Sequence, residues 1–173
     1  MDCIFCKIVS NEIPTTKIYE DENTLAFLDI NPCSPGHTVI IPKKHYQKLE
    51  EMSEEEVKKL FGVVYKLIKP VLKGVNSTNC NIGINNGKCA GQEVPHVHFH
   101  IIPRFENDGG GPLQKLVRLE VKEDLSVIAD RIKNNIPKQK NNKDKEYDPD
   151  REWQEFKLEI EDKVPDYSDA RNL

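Results

Sequence analysis

The sequence lacks the features that mark membrane, secreted or duplex-binding proteins. No apolar run approaches the roughly 18 residues of a membrane-spanning helix. The N-terminus, MDCIFCKIVS, lacks the basic-then-apolar order of a secretory signal. The formal net charge is -4, so a broad basic face for duplex nucleic acid is not expected. We therefore expect no membrane partner, no duplex nucleic acid partner, and a cytoplasmic location with the nucleus as the alternative.

The chain also lacks an even set of cysteines and a uniform composition. Its five cysteines fit reduced thiols or a metal site better than a disulfide framework. Charged residues become dense after Pro137, so we predict a folded domain over residues 1–136 and a charged C-terminal extension over 137–173. An apolar group in the extension is expected to dock on the domain or on a second chain, the alternative being a disordered tail. This group consists of Trp153, Phe156, Leu158 and Ile160.

Apolar periodicity predicts both strands and helices before Pro137. Ser53, with Glu56 three residues later, forms a capping-box pattern. Apolar residues then recur at spacings of three and four, which predicts a helix of roughly 18 residues. Strands are predicted over 24–30, 38–41, 79–85 and 97–103, and a second helix over 123–134. We predict an α+β fold with an antiparallel sheet of about five strands and two main helices.

Three histidines alternate along one predicted strand, at His96, His98 and His100. Because strand side chains alternate between faces, the three imidazoles share one face and the apolar residues between them share the other. His96 and His100 would lie roughly 13 Å apart, too far to ligate one ion without bending the strand. At least one imidazole is therefore left for nucleophilic or proton-transfer chemistry. The alternative is that hydrogen bonds satisfy all three.

The segment HVHFHIIPR, residues 96–104, resembles the signature of the histidine-triad (HIT) family. FLDINPCSPGHTVIIPKKH, residues 27–45, resembles the first hairpin of that family, and INNGKCAGQEVPHVHFH, residues 84–100, its phosphate loop and catalytic strand. The resemblance covers about residues 3 to 135. It implies a homodimer and a two-step reaction at the α-phosphate of a purine nucleotide. An enzyme–nucleotide intermediate forms on the middle histidine, and water then releases the nucleoside monophosphate.

The same resemblance suggests roles for individual residues. His98 would be the nucleophile, with a backbone carbonyl holding its other ring nitrogen. The phosphate would contact His100, Asn85 and Gln92, and the ribose hydroxyls would contact Asp29. Further substrate contacts are expected at Phe5, Ile8, Phe27, Ile30 and Leu49 around the base, and at Gly91 and Glu93 near the phosphate. Without a ligand, the apolar members would be ordinary core residues, and Asn85 and Asp29 would be turn residues.

Cys3 and Cys6 form a Cys-x-x-Cys pair near the N-terminus. Together with His45 and His96, they match positions that surround one zinc ion in several, mostly microbial, members of the family. A closed shell of two cysteines and two histidines leaves no open position, so this zinc would be structural. The alternative is a pair of reduced cysteines beside two histidines that bond to each other. A zinc-finger nucleic-acid module is not expected, because the ligands are too widely spaced along the chain.

Glu93 marks a departure from the resemblance. Phosphoramidase members of the family usually have serine at this position, five residues before the nucleophile. A carboxylate there would repel a polyphosphate leaving group and favour an amine. The leading prediction is a purine nucleoside phosphoramidase that releases AMP from substrates of the adenosine 5′-phosphoramidate type. The alternatives are a diadenosine polyphosphate hydrolase and a nucleotide-binding adaptor with little turnover.

Overall fold

The structure, a computed structural model, describes residues 2–137. One compact unit ends at Arg118, and the described residues from Leu119 onward belong to a second unit. The elements of the first unit are α1 (Ile4–Val9), β1 (Lys17–Glu20), β2 (Thr24–Leu28), β3 (Thr38–Pro42), α2 (Glu54–Gly74), β4 (Asn79–Ile84) and β5 (Phe99–Arg104), with short 3-10 turns at Leu49–Glu51, Lys88–Ala90 and Leu113–Lys115. The second unit contains α3 (Leu125–Asn135). The predicted boundary after residue 136 stays a prediction, and the four apolar residues of the extension lie outside the described residues.

The sheet has the order β1-β2-β3-β5-β4, and every neighbouring pair is antiparallel. This confirms the predicted α+β fold with five antiparallel strands. The β-branched strand β3 is buried along its whole length, as expected for a strand covered on both faces. Its residues Val39 and Ile40 pair with His100 and Phe99 of β5, which makes β5 an interior strand between β3 and β4.

Two apolar clusters cover the two faces of the sheet. The larger cluster packs α2 against the sheet through five buried helix residues, which are Leu60, Val63, Val64, Leu67 and Val71. The smaller cluster joins α1 to β2 and β3 through Phe5, Ile8 and Phe27. The predicted apolar stripe therefore faces the core as expected. No helix in the described part of the chain combines the length and apolar character that a membrane crossing requires.

Two elements, α1 and β1, were not predicted, and one strand begins later than predicted. The predicted strand 97–103 is observed as β5, which starts at Phe99. His96 and His98 therefore lie in the extended approach to β5, where the Val97 amide donates to the Tyr46 carbonyl at 2.7 Å. This bond lies outside the ladder between β5 and its neighbours, and it ties the approach segment to the end of the first hairpin.

The predicted capping box is present at the start of α2. The Ser53 hydroxyl accepts from the Glu56 amide at 3.3 Å, and the Glu56 carboxylate accepts from the Ser53 amide at 2.9 Å. The Tyr46 hydroxyl and Lys44 also donate to this carboxylate. These donors, with Tyr46 first, lower the pKa of Glu56 to about 2. Because this pKa is depressed, the contribution of the carboxylate to stability is complete above about pH 4.5 and is lost as the pH falls toward 2.

We expect Ser53→Ala to lower the free energy of unfolding by about 1 kcal/mol, because the first turn of α2 loses its side-chain acceptor. Denaturant titration at pH 7 measures the change. Glu55→Gln, in the same helical turn, is the matched control, since Glu55 takes no part in the capping box and its ion pair with Lys58 is exposed and contributes little to stability. Equal losses in the two variants would contradict the role of the cap.

Candidate active site and metal centre

The histidine segment separates its side chains between the two faces as predicted. The three apolar residues that alternate with the histidines belong to the α2 cluster. On the other face, the Phe5 ring of α1 packs edge-on against His96 and His98, with ring centroids 5.8 and 5.2 Å apart. Both imidazoles are buried, His96 completely. The short N-terminal helix therefore forms the wall behind two of the three histidines.

The hydrogen bonds of His96 and His98 assign opposite tautomers to the two rings. His98 Nδ1 lies 2.6 Å from the His96 carbonyl oxygen. Since a carbonyl oxygen only accepts, Nδ1 carries the proton and Nε2 keeps a free lone pair. His96 Nε2 lies 2.9 Å from the Pro42 carbonyl, so in this ring Nε2 carries the proton and Nδ1 keeps the lone pair. The expected backbone partner of His98 is present.

His100 is held by His37, which lies on the loop before β3. The Cys33 amide donates to His37 Nδ1 at 3.4 Å, and His37 Nε2 lies 2.9 Å from His100 Nδ1. His37 Nε2 therefore donates to His100, which leaves the Nε2–H of His100 as a free donor. Burial, with His98 and His37 as neighbours, lowers the pKa of His100 to about 4, so the ring is neutral near pH 7. His37 is therefore a hydrogen-bonded residue that holds His100 in place.

A cavity of about 340 Å³ opens in front of these histidines, within the size range of small-molecule sites. It brings together ten of the twelve predicted substrate-site residues, which are Phe5, Ile8, Phe27, Asp29, Ile30, Asn85, Gly91, Glu93, His98 and His100. The apolar members come from α1, from β2 and from the loop that follows β2. The polar members come from that same loop, from the loop between β4 and β5, and from β5 itself.

Two predicted residues do not line this cavity. Both ends of the Gln92 side-chain amide form hydrogen bonds with backbone groups. Oε1 accepts from the Gly87 amide at 2.7 Å, and Nε2 donates to the Gln47 carbonyl at 2.8 Å. Its side chain therefore holds the loop and lines an adjoining groove. Leu49 packs against the α2 cluster instead. For Gln92 the sequence pattern identified a loop that does line the cavity, but not the direction of the side chain.

The loop before β5 is shaped by two residues beside the cavity. Gly91 adopts a φ of 86°, in the left-handed region that favours glycine, and a Cβ there would lie 3.7 Å from the Asn85 amide nitrogen. The Asn85 amide donates to the Gly91 carbonyl at 3.3 Å. Asn85 can therefore stabilise the loop and still donate to a ligand in the cavity, because its side-chain amide has two donor hydrogens.

Asp29, like Asn85, is both a turn residue and a lining residue of the cavity. One carboxylate oxygen accepts from the Asn31 amide at 2.9 Å, as in an Asx turn. The other oxygen lies 3.6 Å from His37 Nδ1, and the residue lines the cavity. The carboxylate keeps further acceptor positions for a ligand. The sequence analysis missed eight lining residues, which are Ile4, Ile13, Pro14 and Thr15 on or near the unpredicted helix α1, and Leu28, Asn31, Val39 and Val94 elsewhere.

A second cluster behind His96 combines Cys3, Cys6, His45 and His96, whose four donor atoms all lie within 4.8 Å of one another. The two Nδ1 atoms are 3.2 Å apart, and the sulfur–nitrogen distances are 3.4 to 3.7 Å. Tetrahedral zinc with ordinary bond lengths requires about 3.4 Å between two nitrogens and about 3.6 Å between nitrogen and sulfur. The donor set and its spacing therefore fit a tetrahedral ion, and the free lone pair of His96 Nδ1 points into the cluster.

The five-stranded antiparallel sheet, with three histidines along β5 and the segment that leads into it and with the short helix α1 packed against two of them, defines an α+β protein with an imidazole-lined ligand site. The HIT domain family model matches residues 10–107. This chain belongs to the histidine-triad (HIT) family.

Named relatives agree with this assignment. An uncharacterised HIT-like protein of Methanocaldococcus jannaschii is 55% identical over 107 residues, which are 62% of this chain and 82% of the relative. The adenosine 5′-monophosphoramidase of Schizosaccharomyces pombe is 46% identical over 110 residues, 64% of this chain and 80% of the relative. A zinc-bound histidine-triad protein of Mycobacterium smegmatis, known from its crystal structure, is 42% identical, with a TM-score of 0.60 over 62% of this chain and 78% of that one.

Proposed function

We propose that this protein is a nucleoside phosphoramidase that releases AMP from adenosine 5′-phosphoramidates, with His98 as the nucleophile. The observation that carries the proposal is the bond from His98 Nδ1 to the His96 carbonyl. It fixes the tautomer in which the Nε2 lone pair is available at a cavity of ligand size. An imidazole in this state can attack phosphorus without first losing a proton. The phosphoramidase name of the fission yeast relative supports the choice of substrate.

The reaction has two displacements. His98 Nε2 forms a bond to the α-phosphorus as the phosphorus–nitrogen bond of the substrate breaks, and the departing amine takes up a proton from solvent. Water then attacks the same phosphorus, the bond between phosphorus and His98 Nε2 breaks, and the proton lost by the water returns to solvent, which releases AMP and restores the imidazole. His100 is neutral and presents its Nε2–H, so it is suited to donate to a phosphoryl oxygen whose charge grows during each displacement. The Asn85 amide is a second neutral donor in the cavity.

The nucleoside is placed by the other residues of the cavity. Phe5, Ile8, Phe27 and Ile30 form an apolar wall for the base. Asp29 follows β2 beside this wall and offers carboxylate oxygens for the ribose hydroxyls, which are donors. Base and ribose therefore lie on the β2 side of the histidines, and the phosphate lies over β5 and the loop that contains Asn85.

We propose in addition that Cys3, Cys6, His45 and His96 hold one structural zinc ion. When bound, zinc supplies a cross-link between α1, the end of β3 and the approach to β5, with no position left for catalysis. His96 presents a free Nδ1 to the cluster while its Nε2–H donates to the Pro42 carbonyl, the second bond that ligating histidines ordinarily make. The zinc-bound mycobacterial structure supports this assignment.

A homodimer is also part of the proposal. The outward side of α2 exposes Phe61 and Tyr65, which are 52% and 76% accessible. Exposed aromatic side chains on a helix that already packs well against its own sheet are typical of a surface that meets a second chain.

Product analysis with two substrates tests the proposed activity. Adenosine 5′-phosphoramidate and diadenosine tetraphosphate are incubated with the protein at equal concentration, and nucleotides are separated by chromatography. We expect AMP and ammonia from the first substrate at a rate well above that of the second. Faster cleavage of the second would favour the diadenosine polyphosphate hydrolase, and nucleotide binding without either product would favour the adaptor.

A further inference from the structure

The charged residues around the cavity all have one sign. Asp29 and Glu93 are the charged residues among its described lining residues, and neither lysine nor arginine is among them. His100 adds no charge near pH 7, because its pKa is lowered to about 4. The proposed phosphate site is therefore lined by carboxylates and by neutral hydrogen-bond donors. Such a site disfavours every additional negative charge on the substrate.

The two carboxylates lie toward opposite sides of the histidines. Asp29 follows β2, whereas Glu93 lies in the loop that joins β4 to β5. In the sheet order β1-β2-β3-β5-β4, the histidine segment leading into β5 lies between these two sides. If the apolar wall and Asp29 take the nucleoside, Glu93 is left on the side from which the leaving group departs.

Glu93 is also free to meet a ligand. Its side chain is exposed, and among the described residues it has no hydrogen bond or ion pair, whereas one oxygen of Asp29 is engaged by the Asn31 amide. The adjacent Gln92 anchors the loop backbone at Gly87 and Gln47. Glu93 thus stands on a fixed loop, at a point that belongs both to the cavity and to the adjoining groove.

We propose that Glu93 selects the leaving group by charge, so that the preferred substrates are nucleoside phosphoramidates whose amine carries a second, positively charged group. This inference rests on the proposed function. A diamine or a lysine-like amine would place its distal ammonium against the Glu93 carboxylate. A leaving group with a carboxylate or further phosphates would be repelled by the same oxygens. Lys48 and Lys88 line the adjoining groove and would attract a negatively charged leaving group. The experiment must therefore distinguish their effect from that of Glu93.

Three AMP amides that share the phosphorus–nitrogen bond and differ in the charge of their tails test this selection. The amines are ethylenediamine, ethanolamine and β-alanine, which provide positive, neutral and negative tails. We expect kcat/KM of the wild type to fall in that order. An exposed carboxylate contributes about threefold by attraction and a similar factor by repulsion, and the two factors multiply, so Glu93→Gln should reduce the cationic-to-anionic ratio roughly tenfold. Glu93→Lys should reverse the order.

Two controls make the result specific. Glu22→Gln removes an equivalent exposed carboxylate away from the cavity and should leave the ratio unchanged. The preference of the wild type should also weaken as salt is raised, because exposed charges are screened. Dissociation constants of the three amides for His98→Asn, with and without Glu93→Gln, give a second readout that does not depend on turnover.

The possible failures are distinguishable. Absence of turnover of all three amides by the wild type would overturn the proposed function, and the selection by Glu93 with it. Turnover of all three with a ratio that Glu93→Gln leaves unchanged would overturn the selection alone. A wild-type preference for the anionic tail that Lys88→Gln abolishes would assign the selection to the groove lysines and would also overturn the proposal.

Discussion

His98→Asn is expected to reduce AMP release by at least about a thousandfold, because it removes the atom that forms the covalent bond to phosphorus. Asparagine can still donate its amide hydrogen to the His96 carbonyl, so the approach to β5 keeps its local bond. Nucleotide affinity should stay within roughly tenfold, about 1.4 kcal/mol, since most of the proposed contacts to base and ribose lie elsewhere. Steady-state rates and the dissociation constant for AMP measure the two effects separately.

His100→Asn is the comparison for this variant. His100 is proposed to donate a hydrogen bond and not to form a covalent bond, and loss of one such donor costs about a hundredfold to a thousandfold. Because the phosphorus–nitrogen bond to histidine is acid-labile, turnover should be quenched with alkaline denaturant, which should show nucleotide covalently bound to the wild-type protein and none bound to His98→Asn. Activity of His98→Asn above a few per cent of the wild type would remove His98 from the role of nucleophile.

Replacing both Cys3 and Cys6 with serine is expected to abolish zinc binding and to destabilise the domain by about 4 kcal/mol, because the loss of a metal centre is among the largest single-site effects. For a domain of this size that change lowers Tm by roughly 10–15 °C. We expect this large loss of stability to be accompanied by only a small loss of kcat/KM per folded molecule, since the proposed zinc shell leaves no position for substrate. Metal analysis of protein purified without chelators and thermal unfolding with and without zinc measure these effects.

The matched control is Cys33→Ser with Cys89→Ser, which makes the same chemical change at two exposed cysteines outside the cluster. This control should keep one zinc per chain. A wild-type protein that is stable and contains no zinc would contradict the proposed metal, and the alternative of two histidines bonded to each other beside reduced thiols would then stand.

The main elements were predictable where a periodic pattern and a local signal agreed. Ser53 and Glu56 predicted the start of α2, and the buried stripe that follows fixed its inward face. The alternation of histidine and apolar residues likewise predicted which side chains meet the α2 cluster. In these segments the spacing along the chain determines the direction of each side chain, so the sequence alone carries the information.

The sequence did not indicate those features that depend on contacts between residues distant along the chain. The six residues of α1 are too few to show a helical period, and the cavity residues near α1 were missed with it. Gln92 turns away from the cavity because two backbone groups, one of them on Gln47, complete its hydrogen bonds. The role of His37 is set by its contact with His100, 63 positions away. None of these partners can be read from local spacing.

The helix α1 belongs to the metal cluster and to the cavity at once. Cys6 faces the cluster, while Phe5 and Ile8 line the cavity. A helix of six residues cannot persist by itself in water, so its local stability is supplied by these two sets of contacts. If zinc and nucleotide bind as proposed, we therefore expect amide exchange in this segment to slow when either one is bound. Each ligand would then reduce the entropy that the other must still remove, which would couple two otherwise separate binding equilibria without any change in the shape of the sheet.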